Sequence, residues 1–268
     1  MIIPILLAVS LVISAALCVG SFSILKIILT ILAVYLALNI VYILCAFSTS
    51  LMVKDIEKPV EKDIPLCRFA AVSVFGLLIS YLGLKVKVYG MEKLPKDGRF
   101  LLVCNHRSGF DPVVLMNRLK DYQLSCIAKP SVMKLPFIGR IAYGIGCLSI
   151  DRDNDRNALK TILTAANYLK KDVCNICIFP EGTRSRTGEM LPFQAGSFKI
   201  AQRANAPVAV VSIRGTEQVT KNVPFRRTEV VVDIIELIDA EKVKATGTQE
   251  LAEYSQKLIA ESLKGGQV

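Results

Sequence analysis

The sequence predicts an α/β fold, a mostly parallel mixed sheet flanked by helices, with an N-terminal hydrophobic membrane-anchor segment in front of it. Three observations carry this. From Leu84 onward, short strand-like apolar runs alternate with segments of helical periodicity, the pattern of a sheet covered on both faces. Before Lys54 the chain carries one charge, Lys26. The only histidine of the 268 residues stands in "VCNHRSGFDPVV", after one of the strand-like runs, where such sheets present functional groups.

In chain order, the uncharged runs Met1–Leu25 and Ile27–Val53 each exceed the roughly 18 apolar residues of a membrane span. A cleaved secretory signal needs a basic start and a shorter apolar core, and "MIIPILLAVS" has no basic side chain. Residues 1–53 are expected to be transmembrane helices. Residues 54–83 are expected to hold a charged linker, "KDIEKPVEKD", and a membrane-associated helix. In the latter, Ser73, Gly76, Ser80 and Gly83 mark one helical face, suited to close packing on another helix. A buried core helix is the alternative reading of that stretch.

Residues 84–268 are expected to form the α/β domain. "LKVKVYG" alternates with period two, "RFLLVCN" is a short buried strand, and "PVVLMNRLK" is a helix with Pro112 at its start. "QLSCIAK" and "GCLSI" are strands, and Leu159, Ile162, Leu163, Ala166 and Leu169 keep helical spacing. "VCNICIF" is a strand, "SFKIAQRANA" a helix, "PVAVVSI" and "EVVVDIIEL" strands, and Leu251–Leu263 a closing helix.

All but one of the 33 basic residues and all 23 acidic ones lie beyond Ser50, so that part carries +9. A basic domain beside a membrane is expected on the cytoplasmic side of the cell membrane, facing anionic lipid. Nucleic acid is not the expected partner, because there is no Trp, aromatics are only 7%, and no basic helix or aromatic-interleaved motif appears. Cys174 and Cys177 form C-x-x-C inside a strand, so they face opposite ways, and neither a second cysteine pair nor a second histidine completes a zinc site. The eight cysteines read as reduced thiols.

His106 and Asp111 are five apart, too far round a continuous helix to meet. Gly109 between them lets the loop fold back, with Asp111 as N-cap and Pro112 in the first turn. A carboxylate on one imidazole nitrogen leaves the other as a base. A strand-end histidine and an Asp-Pro cap are each ordinary features, and two more stretches add weight. "FPEGTRSRTG" combines Glu181, Gly182, Thr183 and Arg184 with Arg186, and guanidinium forks suit phosphate. In "CLSIDR", Arg152 ends another strand.

"NHRSGFD" resembles the N-H-x-S-x-x-D signature of the glycerolipid acyltransferases, the 1-acylglycerol-3-phosphate acyltransferase group. "IDR", "FPEGTRS" and "APVAVVSI" resemble that family's further blocks, in order, from about Lys85 to Arg214. "PFQAG" departs from the pattern, with Gln194 where the family often has Lys. The resemblance implies a chain that moves an acyl group from acyl-CoA or acyl carrier protein to the sn-2 hydroxyl of lysophosphatidate, drawn from membrane lipid. His106 and Asp111 would be catalytic, and Arg152, Glu181, Gly182, Thr183 and Arg184 would hold the acceptor. No metal or prosthetic cofactor is implied. Another lysophospholipid or an amino-acid lysolipid is the alternative acceptor. A serine hydrolase would want G-x-S-x-G, which is absent, and a non-catalytic scaffold would not need the His106, Asp111, Glu181 and Arg184 set.

Overall fold

The computed structural model of the chain describes residues 2–18, 20, 23–56, 60–151, 155–185 and 189–265. Its helices are α1 (Ile2–Leu17), α2 (Ile24–Ser48), α3 (Pro65–Tyr81), α4 (Asp111–Arg118), α5 (Pro130–Met133), α6 (Ile138–Gly144), α7 (Asp155–Lys170), α8 (Lys199–Ala204), α9 (Val219–Asn222), α10 (Ala240–Ala245) and α11 (Thr248–Gly265). Its strands are β1 (Leu84–Tyr89), β2 (Leu101–Cys104), β3 (Leu124–Ala128), β4 (Leu148–Ser149), β5 (Asn175–Ile178), β6 (Val208–Arg214) and β7 (Thr228–Ile238).

The strands form one sheet ordered β1-β7-β6-β2-β5-β3-β4. Every neighbouring pair is parallel except β6 and β7, which run antiparallel with a bulge between Val210 and Val211. The expected mixed sheet is therefore present, and its one reversal has a local cause. The β6–β7 connection holds only one-turn helices, too little to carry the chain back over a sheet face as a parallel crossover requires.

β2 and β5 are buried at every position, as strands covered on both faces are. Leu102, Cys104, Cys177 and Ala209 enter a core with α3, α4 and α6. Leu101, Val103, Ile176 and Val208 enter a second core with α7, α8 and α11. Cys174 and Cys177 thus lie in opposite cores, and all eight cysteines are free thiols. β1 closes one edge and alternates Leu84, Val86 and Val88 inward with Lys85 and Lys87 outward. Charged side chains on an edge strand keep it from pairing with other chains.

The N-terminal runs form two helices of unequal length, 16 and 25 residues. The first stops at Leu17, near Gly20 at φ +80°, and α1 packs back on α2. The stretch Ile24–Met52 is the one helix among the described residues that is long and apolar enough to cross a membrane. That is consistent with membrane association.

α2 also packs along α3. Its end packs by the start of α3, where Cys67 Sγ donates to Thr49 O. Its middle reaches the far end of α3, where Tyr81 Oη meets Tyr35 Oη at 2.7 Å and donates to Asn39 Oδ1 at 2.6 Å. The two helices therefore run antiparallel.

α3 has one buried face and one exposed face. Leu66, Phe69 and Tyr81 are exposed, whereas Cys67, Ala70, Ala71, Ser73 and Leu77 are buried. Gly76 lies against α4, where a Cβ would come within 3.3 Å of Asn117 Nδ2. Arg68 is buried and clamps the helix to the sheet. It pairs with Asp63 at 2.5 Å and donates to Leu124 O, Ser125 Oγ and Ile145 O at 2.8, 3.0 and 2.9 Å.

Candidate active site

β2 ends in the middle of the sheet, and Asn105 continues it with a side-chain rung. Its buried amide donates to Ile213 O at 2.9 Å and accepts from Ile213 N at 2.8 Å, so the point where the loop leaves the sheet is fixed. His106 follows, with Nδ1 2.8 Å from Asp111 Oδ2. The same oxygen accepts from Arg107 N at 2.7 Å and Ser108 N at 2.8 Å, and Thr216 Oγ1 donates to Oδ1. The Asp111 carboxylate has no exposed surface.

One expectation is corrected here. Asp111 is the first residue of α4, and Phe110 occupies the N-cap without a side-chain cap bond. The carboxylate turns back to gather His106, Arg107 and Ser108 because these donors face it across the Gly109 turn. A carboxylate that accepts from Nδ1–H holds one tautomer and leaves Nε2 with its lone pair.

The ring of His106 stacks on Phe179, centroids 4.2 Å apart at 21°. Phe179 and Glu181 come from the end of β5, beside β2 in the sheet. Glu181 is buried. Its Oε1 accepts from His106 N at 2.6 Å and its Oε2 from Leu191 N at 2.9 Å. Burial pushes this carboxyl above its ordinary value, and the two amide donors oppose the rise. Gly182 turns the chain at φ +81°, a left-handed conformation that favours glycine. After it, Thr183 and Arg184 are exposed. A Cβ built on Gly109 would lie 3.7 Å from an Arg184 guanidinium nitrogen, so that group hangs over the histidine loop.

The structure therefore brings His106, Asp111, Glu181, Gly182, Thr183 and Arg184 together where the central strands β2 and β5 end. Arg152 lies outside the described residues, as does Arg186; Asp151 before it lines a cavity of about 840 Å³ with Leu51, Leu135, Phe137, Arg140 and Lys160. That cavity sits off β3 and β4. A smaller one of about 460 Å³, with Arg107, Arg214, Glu217 and Lys264, lies off β6 and β7. β2 stands between the two. Cys104 is no rival nucleophile, because burial and the nearby Asp111 and Glu181 carboxylates push its thiol well up, and the thiolate is the reactive form.

Two contributors were invisible in the sequence reading. Thr216 reaches Asp111 from 105 positions away. It can do so because Gly215, at φ +91°, passes so close to β7 that a Cβ would sit 2.1 Å from Glu229 O. The "RGT" that follows β6 was the available signal. Phe179 opens the FPEGTRS stretch, and only its stacking on His106 reveals its part.

Fold and site together define an acyltransferase: the acyltransferase family model matches residues 85–214, the span that runs from β1 through both site loops to the end of β6. The chain is 30% identical over 190 residues to the 1-acyl-sn-glycerol-3-phosphate acyltransferase of Salmonella typhimurium, covering 71% of this chain and 77% of that protein. It is 32% identical over 187 residues to the protein of the same name from Saccharomyces cerevisiae, covering 68% and 61%. The crystal structure of the 1-acyl-sn-glycerophosphate (LPA) acyltransferase PlsC from Thermotoga maritima matches with a TM-score of 0.64 and 26% identity, over 85% of this chain and 90% of that one. The chain belongs to the 1-acyl-sn-glycerol-3-phosphate acyltransferase family.

Proposed function

We propose that the chain transfers an acyl group from an acyl-CoA or acyl carrier protein thioester to the sn-2 hydroxyl of 1-acylglycerol-3-phosphate, forming phosphatidate. One observation carries the chemistry: the only histidine in the sequence rests Nδ1 on a fully buried carboxylate that three further donors hold in place. An alcohol is a weak nucleophile at neutral pH, and an imidazole in hydrogen-bond reach takes its proton as it attacks. Nε2 of His106 is that base, and Asp111 orients the ring and stabilises the imidazolium. The hydroxyl attacks the thioester carbon, the tetrahedral intermediate collapses, and the carrier leaves as a thiol that recovers the proton. No acyl-enzyme is needed.

Arg184 and Arg152 hold the acceptor phosphate, with Gly182 and Thr183 shaping that contact, and Glu181 ties their loop to the histidine loop. The names of the relatives support lysophosphatidate as the acceptor. The anchor and the basic balance of the domain support work on lipid at the cytoplasmic face of the cell membrane. Domain limits of 1–53, 54–83 and 84–268 fit this division of labour.

The test is direct. Purified membranes receive labelled lysophosphatidate with acyl-CoA in one arm and acyl carrier protein thioester in the other, and phosphatidate is measured. His106→Ala is expected to lower the rate by at least about 10²-fold while the protein still inserts and folds. Near-native turnover in that variant would overturn the base assignment, and preference for a lysolipid without a phosphate monoester would overturn the acceptor.

A further inference from the structure

We propose that the turn 223–227 is a membrane contact in its own right, seating Phe225 among lipid acyl chains and setting Lys221, Arg226 and Arg227 against anionic headgroups. The inference rests on α2 being embedded in the bilayer and does not depend on which lysolipid the site accepts.

Phe225 is 93% exposed, more than any other large apolar side chain among the described residues, including those of α1 and α2. Lys221, Pro224, Arg226 and Arg227 are exposed beside it, and no acidic residue stands between Lys221 and Thr228. The turn is held by its own bonds. Arg226 N donates to Asn222 O at 2.8 Å, Val223 N to Val219 O at 3.1 Å, and Asn222 Nδ2 to Thr228 Oγ1 at 3.0 Å. An ordered aromatic ringed by cations has the chemistry of an interfacial anchor for anionic lipid.

Its place in the fold selects the bilayer as the occupant. The β1–β7 ladder begins at Leu84↔Thr228, whereas β6 pairs no further than Arg214↔Val231. Three residues of β7 therefore project past β6, about 10 Å at the strand rise, on the edge where His106 emerges. Arg227 Cγ lies 3.4 Å from where a Cβ of Gly83 would be, and Thr228 N donates to Gly83 O at 3.3 Å. Two residues before Gly83, Tyr81 is latched to Tyr35 and Asn39 of α2. From Tyr35 back to Ile24, α2 runs on for about 16 Å past that latch, with Ile24, Leu25, Ile28, Leu29 and Leu32 exposed. The apolar helix and the Phe225 turn leave the domain at one edge, so a bilayer that holds the helix meets the turn. The connection that carries Phe225 begins next to Thr216, the residue bonded to Asp111, so the contact also sets the tilt of the site against the lipid surface.

The chain has no Trp, so one introduced indole reports one position. Full-length protein carrying Phe225→Trp is reconstituted into vesicles of equal parts phosphatidylcholine and phosphatidylglycerol, with plain or brominated acyl chains. Leu32→Trp in α2 and Lys171→Trp at the opposite sheet edge are the references. We expect blue-shifted emission quenched by bromine for Phe225→Trp and Leu32→Trp, and no quenching for Lys171→Trp. Adding Arg226→Glu and Arg227→Glu to Phe225→Trp should cut its quenching by roughly half or more, since each basic residue near an anionic surface contributes about fivefold in affinity. Quenching of Leu32→Trp alone would overturn the turn's contact and leave the anchor standing. Quenching of neither would remove the anchor and the proposal together. Blue emission without quenching would assign Phe225 to a protein contact, such as a second copy, and overturn the proposal as well.

Discussion

Asp111→Asn isolates the charge of the carboxylate from its geometry. In the native chain one oxygen gathers His106 Nδ1, Arg107 N and Ser108 N, and the other accepts from Thr216. An asparagine with its carbonyl at the crowded position keeps all three N–H bonds and turns its NH₂ toward the Thr216 hydroxyl, which can accept. The loop therefore stays in place while the negative charge disappears. What is lost is attraction to the imidazolium that forms as the acceptor hydroxyl gives up its proton. For unit charges about 4 Å apart at an effective dielectric constant of about 20, that attraction is about 4 kcal/mol. At 1.36 kcal/mol per decade it corresponds to about 10³ in kcat. The assay is initial rates of phosphatidate formation at varied lysophosphatidate, with a thermal melt of each detergent-solubilised protein. The expected result is a fall of about 10³ in kcat, with KM and melting temperature near native. A folded variant that keeps more than a tenth of native kcat would refute the reasoning, because Asp111 would then act only as a structural acceptor.

Three further outcomes are expected. Arg184→Ala should lower kcat/KM for lysophosphatidate at least tenfold, mainly through KM, since a hydrogen bond to a charged group contributes about 1.5–3 kcal/mol; Arg184→Lys should rescue it only in part, because Lys lacks the fork. Glu181, whose carboxyl burial raises, releases its proton at higher pH when folded than when unfolded. Its contribution to stability is greatest below the ordinary carboxylate value and is lost as pH rises through the raised one. The melting temperature of the native protein minus that of Glu181→Gln should therefore be larger near pH 4 than near pH 7, and a flat or opposite trend would refute the assignment. Arg68→Ala should destabilise the fold by about 3–5 kcal/mol, because Asp63, Leu124 O and Ile145 O lose a buried cation; a melting temperature unchanged within about 2 °C would show that water replaces it.

The sequence by itself determined what depends on neighbours along the chain. The alternation of LLVC and NICI with helical runs follows from strands buried on both faces, and those runs became β2 and β5. The HRSGFDP stretch carries its own loop closure, because Gly109 and the Asp-Pro pair give His106 a carboxylate within five residues. Tertiary structure alone decided the rest. Whether Asp111 caps its helix or faces backward depended on donors that only the folded loop lines up. Thr216 and Phe179 joined the site because β6 and β5 flank β2 in the sheet, an adjacency that no local periodicity records. The direction of β7 depended on the reach of the segment before it. The Leu66–Gly83 stretch was ambiguous because an apolar helix beside lipid and one beside a core have the same composition; the partners of Arg68 placed one of its faces on the sheet. In the same way, nothing in the letters around Phe225 indicates exposure, since Phe is ordinarily buried, and only the projecting end of β7 left that side chain uncovered.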